Sequence, residues 1–583
     1  MTDTSSSAAI ADWFMDDTPS TSFPIYTRGN TGEVFPDPIS PLTADFTWQG
    51  PGDEGLRDWM GGYSLELDEL DPGQKVMFEI FGAHVFLNLS VARLSGARTP
   101  GMTPEQVDMA YFGTDSSLPP YVPRAADENP VIQARCGAKM YSFLTATDFP
   151  EVDRQRSQAD EVVAARPRLA DLDPAQLVAR MREMKPWFRR IFEVHGQVSM
   201  GAGVVLGALT QLAMGMGRPG LDMRVAGGLG DVDSAEPSWV MWDLGRLVAA
   251  SEPLAKAFDG GVTGLPERLA GLGEPAAAFL AGFADFQRRF GSRGPNEWEL
   301  RSETWGTRAE LALAMIDRMR LTPESGAPQG RHEEARTRAE DALIEFRTLC
   351  AIDPQAAATL EMALTAASVF LPGRERSKTT IVKIVHETRL AARELGRKLA
   401  AAGHLSQARH VFMLRDSELD AAVAGPSFAE EAARRESHYL QFAELEPPFV
   451  FVGEPPAVST WPRRRAATRS VSAVGSVLHG IGGSAGSATG RARIVTDPSD
   501  PADFEPGDIL IAPITDPSWT PLFVPAAAVV VDVGGSVSHA VIVSREFGIP
   551  CVVSVTGATA RVPTGALVRV DGDAGTVTIL ALP

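Results

Sequence analysis

The chain has 583 residues, a formal net charge of −20 and an ordinary composition for a water-soluble protein. That length exceeds what one hydrophobic core normally supports, so we expect two to four domains. The acidic balance argues against nucleic acid or an anionic membrane as a partner, because either would need a clustered basic surface.

The first part of the chain changes from a polar, proline-rich composition to a helical pattern. Residues 1–22 are polar and small, which predicts a flexible arm. Residues 23–121 are rich in proline, glycine and aromatic side chains and indicate an irregular segment. Further on, Asp173 is a candidate N-cap, Pro174 suits the first helical position, and apolar residues then recur at helical spacing. We therefore assign residues 23–444 to one largely helical domain.

The C-terminal part has a different pattern. Residues 445–472 shift to proline, arginine, serine and alanine, which is typical of a linker, and we place a hinge there. Residues 473–583 alternate short apolar strands with glycine turns, so we expect a compact mixed α/β domain. The predicted fold class is therefore multidomain, α followed by α/β. The predicted strands are Arg493–Val495, Asp508–Ala512, Ala528–Val533, Cys551–Val555, Leu567–Val570 and Thr576–Leu580.

Cysteine usage and hydropathy indicate the compartment. Cys136, Cys350 and Cys551 are far apart and form no C-x-x-C pair, which predicts neither a disulfide framework nor a zinc site. The N-terminus has no basic leader, and no stretch approaches the length of a membrane span. We expect a cytoplasmic protein with no bound metal and no membrane partner.

One histidine lies where a phosphate group can bind. The apolar strand Ala528–Val533 is followed by a glycine turn and by Ser538, a candidate cap for a helix that begins at His539. Gly548 and Pro550 mark the end of that helix. Free backbone N–H groups and the helix dipole favour an anion at a helix N-terminus, so the His539 imidazole is a candidate phosphoryl acceptor.

The order GG-x-x-S-H-A-x-x-x-x-R-E-x-G-I-P, from Gly534 to Pro550, resembles the phosphohistidine swivelling domain of phosphoenolpyruvate synthase and pyruvate phosphate dikinase. The resemblance implies that His539 carries a phosphoryl group on a mobile domain. Val537 departs from the pattern, because the dikinases usually have a regulatory threonine there. The segment Thr515–Leu522 resembles the T-D-P-x-W-T-P-L loop of the same family. Asp516 in this loop either orients the His539 imidazole or only forms a turn.

The helical domain resembles the antibiotic-binding domain of rifampin phosphotransferase. The similar segments are Gly32–Pro36 with Pro41–Thr43, Phe290–Glu297 and Arg374–Lys378. Arg374 and Lys378 are four positions apart, so on a helix the two share one face. They either clamp a transferring phosphoryl group or form a solvated basic surface.

Four further residues are candidate substrate-binding residues. The resemblance implies that Arg293 and Glu297 take part in the same clamp, with an interdomain ion pair as the alternative. It also assigns Glu33 to the acceptor site. His195 is either a base for a hydroxyl substrate or a hydrogen-bonded core histidine.

No Walker A loop and no motif of the ATP-grasp type occur in the sequence. The resemblance therefore implies that ATP and Mg²⁺ act through a separate ATP-grasp subunit, as in phenylphosphate synthase, and that this chain alone binds no cofactor. A small phenolic acceptor is the first expectation, with the helices around Trp239–Trp242 as candidate pocket walls. The alternatives are a rifampin-like antibiotic acceptor and a non-catalytic phosphocarrier or binding module. The oligomeric state and the base that activates the acceptor stay open.

Overall fold

The computed structural model describes residues 13–112, 118–227, 233, 236–324, 327–464, 471–498, 504–535 and 538–583. Helices dominate these residues up to Ala443, and a β-sheet dominates from Val477 onwards, so the predicted fold class is confirmed. The described helices of the first part are α1 (Thr31–Val34), α2 (Pro41–Thr43), α3 (Asp53–Met60), α4 (Leu89–Arg98), α5 (Pro104–Phe112), α6 (Pro130–Leu144), α7 (Pro150–Ala164), α8 (Pro174–Gly215), α9 (Leu221–Ala226), α10 (Glu236–Ala249), α11 (Glu252–Asp259), α12 (Leu265–Gly271), α13 (Ala277–Phe290), α14 (Ala309–Leu321), α15 (Pro328–Cys350), α16 (Pro354–Ala401), α17 (Asp416–Ala424) and α18 (Ala429–Ala443).

The two longest helices, α8 and α16, pack along each other in the main core. Helix α8 begins as predicted, because the Asp173 carboxylate accepts a hydrogen bond from the Gln176 N–H at 2.8 Å. Both helices are long and apolar enough to cross a membrane, so the expectation that no stretch approaches a membrane span is wrong. Since 44% and 50% of their most apolar windows are buried inside the protein, the same composition also fits core helices.

A four-stranded antiparallel sheet lies beside these helices and corrects two sequence predictions. Its strands are β1 (Ile25–Thr27), β2 (Phe78–Phe81), β3 (His84–Asn88) and β4 (Val450–Val452), in the order β2-β3-β1-β4. The segment 23–121, expected to be irregular, therefore contributes three strands and several helices. The first part of the predicted hinge 445–472 is also structured, because Phe451 pairs with Tyr26 and Trp461 is buried. Residues 465–470 of that hinge lie outside the described residues.

The predicted flexible arm is ordered wherever it is described. Residues 1–12 lie outside the described residues. Trp13 and Met15 are buried in the main core, and the Trp13 ring contacts Phe442 edge-on at 5.6 Å. The Asp71 carboxylate accepts hydrogen bonds from the N–H groups of Thr21 and Ser22. Residues 13–22 are therefore part of the helical body.

The C-terminal sheet has eight strands in the order β5-β12-β11-β7-β8-β9-β10-β6. Strands β7, β8, β9 and β10 are parallel neighbours, and the other pairs are antiparallel. Strands β8 and β9 are completely buried, as expected for parallel strands covered on both faces. The elements are β5 (Val477–His479), β6 (Ile481–Ser484), β7 (Ser487–Ile494), β8 (Ile509–Ala512), α19 (Thr520–Phe523), β9 (Ala528–Val531), α20 (His539–Glu546), β10 (Cys551–Val553), α21 (Ala558–Arg561), β11 (Leu567–Asp571) and β12 (Thr576–Ala581).

One face of this sheet shares a hydrophobic core with the helical body. Leu510, Val529 and Val543 belong to the same buried cluster as side chains of α10, α13 and α14. Helix α20 follows β9 and therefore begins at the carboxyl edge of the parallel strands, where open α/β sheets usually bind ligands. This packing turns the start of α20 towards the helical body.

Candidate active site

His539 is the first residue of α20 and is 7% exposed. Its two ring nitrogens lie 3.1 Å from the hydroxyl oxygens of Thr515 and Thr520, and the edge of the Phe523 ring packs against the imidazole. Ser538 occupies the N-cap position, but its side chain makes no capping hydrogen bond. The first N–H groups of α20, which have no partner within the helix, therefore receive none from this side chain. Ser536 and Val537 of the glycine turn lie outside the described residues.

Electrostatics keep this imidazole neutral. Burial holds the pKa of His539 well below its usual range, and the positive charges of Lys378 and Arg293 lower the pKa further. A neutral imidazole has a free electron pair on one ring nitrogen at physiological pH, which is what attack on phosphorus requires.

Of the two alternatives for Asp516, the structure agrees with the turn, because the ring nitrogens of His539 contact Thr515 and Thr520 and not this carboxylate. The Asp516 carboxylate instead accepts hydrogen bonds from the N–H of Ser518 at 2.8 Å, from the Ser518 hydroxyl, and from the N–H of Asn296 at 3.0 Å. The carboxyl group lies at the cavity surface, and its burial raises its pKa. Asp516 therefore links the histidine domain to the helical body, and the threonines on either side of it contact the imidazole.

Arg374 and Lys378 line the same cavity as His539. Both lie on α16, and Arg374 Nη1 pairs with the neighbouring Glu375 carboxylate at 2.9 Å. The two cations are four positions apart on the helix, so they face the cavity one turn above the other. This location excludes the solvated basic surface as a description of the pair, while their role in transfer stays a prediction.

Arg293 and Glu297 form a buried ion pair of 2.9 Å. Both belong to the loop between α13 and α14, so the pair lies within one loop and does not join two domains as the alternative assumed. Arg293 also donates a hydrogen bond to the Thr379 hydroxyl of α16 at 3.0 Å, next to Lys378. Burial raises the pKa of Glu297 and the Arg293 charge opposes that shift. Glu297 lines the cavity.

The structure also brings Glu33 and His195 to the cavity. Burial raises the pKa of Glu33 to about 7 against the lowering effect of Arg374 and Lys378, and its carboxylate accepts a hydrogen bond from the Gly535 N–H. Burial and the same two cations lower the pKa of His195 to about 3. His195 Nδ1 lies 2.9 Å from the Ser377 hydroxyl oxygen. Of the two, Glu33 is therefore the better proton acceptor near neutral pH.

The cavity has a volume of about 400 Å³, and its polar end is formed by these residues. The remaining wall is largely apolar, with Trp48, Trp59, Met60, Phe78, Phe192 and Met200. The predicted walls at Trp239–Trp242 are wrong. Trp242 is buried in the second core, and Trp239 packs against His332 outside this cavity.

Sequence reasoning missed several residues of the site. Thr515 and Thr520 are the two threonines of the recognised loop, so the resemblance of that loop was the signal that could have identified them. Ser377 lies inside the recognised segment Arg374–Lys378. The aromatic wall residues come from distant segments and carry no local signal.

No group of three or more His, Cys, Asp or Glu side chains that could hold a metal ion occurs among the described residues. The site is thus built from one buried histidine, three nearby cations, and buried carboxylates facing an apolar compartment. A mixed α/β domain with a histidine at a helix start, packed against a helical body, is the arrangement that the resemblance to a phosphohistidine domain predicts.

Comparison with known proteins agrees with this resemblance. Residues 504–575 match the mobile domain of PEP-utilising enzymes, and residues 195–375 match the fourth domain of rifampicin phosphotransferase. The C-terminal part of the chain is therefore similar to the mobile domain of PEP-utilising enzymes, and its helical part is similar to a domain of rifampicin phosphotransferase. The first match contains His539, and the second contains His195, Arg293, Glu297 and Arg374.

Relatives with similar sequences include three longer proteins. An uncharacterized protein of Mycobacterium tuberculosis is 30% identical over 96% of this chain and 62% of its own length. A rifampicin phosphotransferase of Streptomyces sviceus is 32% identical over 50% of this chain and 33% of its own length. A prodigiosin synthesizing transferase of Serratia marcescens is 32% identical over 52% of this chain and 34% of its own length. The chain thus spans less than two thirds of each of these relatives.

Proposed function

We propose that this chain is the acceptor-binding and phosphoryl-carrying component of a phosphotransferase. The observation that carries the proposal is the single cavity in which His539, Arg374, Lys378 and Glu33 adjoin an apolar compartment. A phosphoryl group on His539 and an acceptor in the compartment are neighbours in this arrangement. Positioning and charge neutralisation supply most of the catalysis of phosphoryl transfer, and both are present here.

In the proposed transfer step, one bond to phosphorus forms, one breaks, and a residue of the cavity takes the proton. The acceptor oxygen attacks phosphorus, the P–N bond to His539 breaks, and its electron pair returns to the imidazole nitrogen. The hydroxyl proton passes to the Glu33 carboxylate, whose pKa of about 7 suits a general base. Arg374 and Lys378 stabilise the charge on the phosphoryl oxygens, and Arg293 adds a third positive charge near the imidazole.

We further propose that an ATP-grasp component outside this chain charges His539 from ATP and Mg²⁺, with release of AMP and phosphate. The absence of a Walker A loop and of ATP-grasp motifs from the sequence supports this division. The histidine domain then swings between the two sites, so that a P–N intermediate divides one transfer into two easier steps. A cytoplasmic location is part of the same proposal.

A small phenolic molecule is the proposed acceptor, because the compartment joins one polar end to aromatic walls. A rifampicin-type antibiotic is the second candidate, favoured by the match of residues 195–375. The experiment loads His539 with radiolabelled phosphoramidate, a small phosphoryl donor, and adds 4-methylphenol or rifampicin. Labelled aryl phosphate supports the phenolic acceptor, and labelled rifampicin supports the second. Label that leaves only to water contradicts both and favours the phosphocarrier alternative.

A further inference from the structure

Two polar side chains of α8 border the cavity and have no part in the proposed transfer step. His195 and Ser199 both line the cavity. They are four positions apart, so they lie on one face of the helix with their Cβ atoms about 6 Å from each other. Whether they can bind a ligand depends on the hydrogen-bonding capacity that their partners within the protein leave unused.

The hydrogen bonds of Ser377 determine which nitrogen of His195 carries the proton. The Ser377 Oγ atom lies 2.9 Å from the carbonyl oxygen of Arg374 and 2.9 Å from His195 Nδ1. A carbonyl oxygen only accepts hydrogen bonds, so Ser377 uses its single hydroxyl proton there. Its Oγ atom therefore accepts a hydrogen bond from the imidazole, and Nδ1 of His195 carries the hydrogen.

This arrangement leaves Nε2 of His195 as a hydrogen-bond acceptor. The two nitrogens of an imidazole point in divergent directions, so Nε2 points away from Ser377. No described residue donates a hydrogen bond to Nε2, and His195 is only partly buried. Because the pKa of His195 is about 3, Nε2 stays unprotonated near neutral pH and can accept a hydrogen bond without acting as a base.

Ser199 also has a polar group without a partner. Its Oγ atom is buried and has no hydrogen-bond partner among the described residues. A serine within a helix often donates to the carbonyl four residues earlier, but Ser199 makes no such bond. Rotation about one side-chain bond can turn this hydroxyl towards the cavity. A ligand group that pairs with it would remove an unfavourable buried polar atom.

A hydroxyl group of a ligand is complementary to both side chains. It can donate to Nε2 of His195 and accept a hydrogen bond from the Ser199 hydroxyl. The hydroxyl that attacks phosphorus is not available for this role, because its proton passes to Glu33 in the proposed transfer step. Arg374 and Lys378, the cationic donors near His195, bind the phosphoryl group in that step.

We propose that His195 and Ser199 form a subsite for a second hydroxyl group of the acceptor. The acceptor is then a molecule with two hydroxyl groups, one of which receives the phosphoryl group while the other is only bound. The inference deepens the proposed function and rests on it, because the choice of a second hydroxyl follows from the role given there to the first.

The test measures the binding of phenols to the full chain by calorimetry. Catechol, resorcinol and hydroquinone are each compared with the methylphenol of the same substitution pattern, in which a methyl group of similar size forms no hydrogen bond. His195→Leu and Ser199→Ala remove the two groups of the subsite. His195→Gln is the conservative control, because its amide oxygen can accept a hydrogen bond. Ser199→Ala removes a single oxygen atom and should therefore keep the fold.

The quantity compared is the affinity for the dihydroxybenzene divided by the affinity for its methylphenol. For at least one of the three pairs, this ratio should be about tenfold lower in His195→Leu than in the wild type, because the second hydroxyl loses its acceptor. Ser199→Ala should lower the ratio about threefold, and His195→Gln should keep it within about threefold. The affinity for the methylphenol should change by no more than about twofold in any variant.

The inference is overturned if His195→Leu or Ser199→Ala keeps the wild-type ratio for all three pairs. An equal loss of affinity for both members of each pair also overturns it, since the two residues would then only support the cavity wall. Failure of the wild type to bind any of the six phenols does the same.

The measurement needs no phosphoryl transfer. The expected ratios without any transfer therefore refute the proposed function and leave the subsite standing, whereas transfer to phenols with unchanged ratios does the reverse.

Discussion

Replacing Lys378 by methionine tests how the cavity stabilises a transferring phosphoryl group. The Lys378 charge lowers the pKa of His539 and of Glu33, so this ammonium group acts on both the phosphoryl carrier and the proposed base. Methionine keeps much of the side-chain volume and removes the charge. Loss of one charge-assisted contact in a transition state costs about 3 to 4 kcal/mol, which corresponds to a rate about 100- to 1000-fold lower.

The assay is a single-turnover chase. Protein carrying radiolabelled phospho-His539 is mixed with 4-methylphenol, and loss of protein-bound label is followed with time. Lys383→Met is the matched control, because Lys383 lies on the same helix but pairs with Asp160 and does not line the cavity. We expect Lys378→Met to load normally and to discharge slowly, and Lys383→Met to resemble the wild type. Equal discharge rates for all three proteins would refute the assignment of Lys378 to transfer.

Two further predictions concern the base and the nucleotide. Glu33 acts as a base only when ionised, and its pKa is about 7, so discharge should rise about tenfold from pH 6 to pH 8 in the wild type. In Glu33→Gln the rate should be lower and flat over that range, and an unchanged pH profile would exclude Glu33 as the base. The chain alone should neither hydrolyse ATP nor phosphorylate an acceptor from ATP, because no nucleotide-binding motif occurs in its sequence. Nucleotide binding by the purified chain, measured by calorimetry, would contradict that prediction.

Local patterns in the sequence were sufficient to predict the secondary structure around His539. The strand, glycine turn and helix start around His539 follow from β-branched residues, a cap position and a helix stop, all within about twenty residues of one another. The cap at Asp173 was predictable for the same reason, and the structure has the expected hydrogen bond to Gln176. Both features depend on neighbours in the chain, which a sequence displays directly.

Tertiary contacts decided the features that sequence reasoning missed. Asp516 precedes a proline in a motif near the histidine, but the backbone of Asn296, distant in sequence, determines where its carboxylate points. The aromatic wall joins Trp48, Trp59 and Phe192, because the helical segment Ala44–Gly52, which carries Trp48, and α3 both pack on α8. The predicted hinge was proline-rich, yet β4 within it pairs with β1. The composition of a segment indicates its local stiffness and polarity. It does not predict that the segment pairs with a strand hundreds of residues away.

The central claim is that His539 carries the phosphoryl group, and phosphorylation of the wild type and of His539→Ala tests it most directly. Both proteins are incubated with radiolabelled phosphoramidate, and the label is located by mass spectrometry of peptides at alkaline pH, where phosphohistidine survives. The neutral, buried imidazole at the start of α20 predicts stable label at residue 539 in the wild type and none in the variant. Equal stable labelling of His539→Ala would contradict the account.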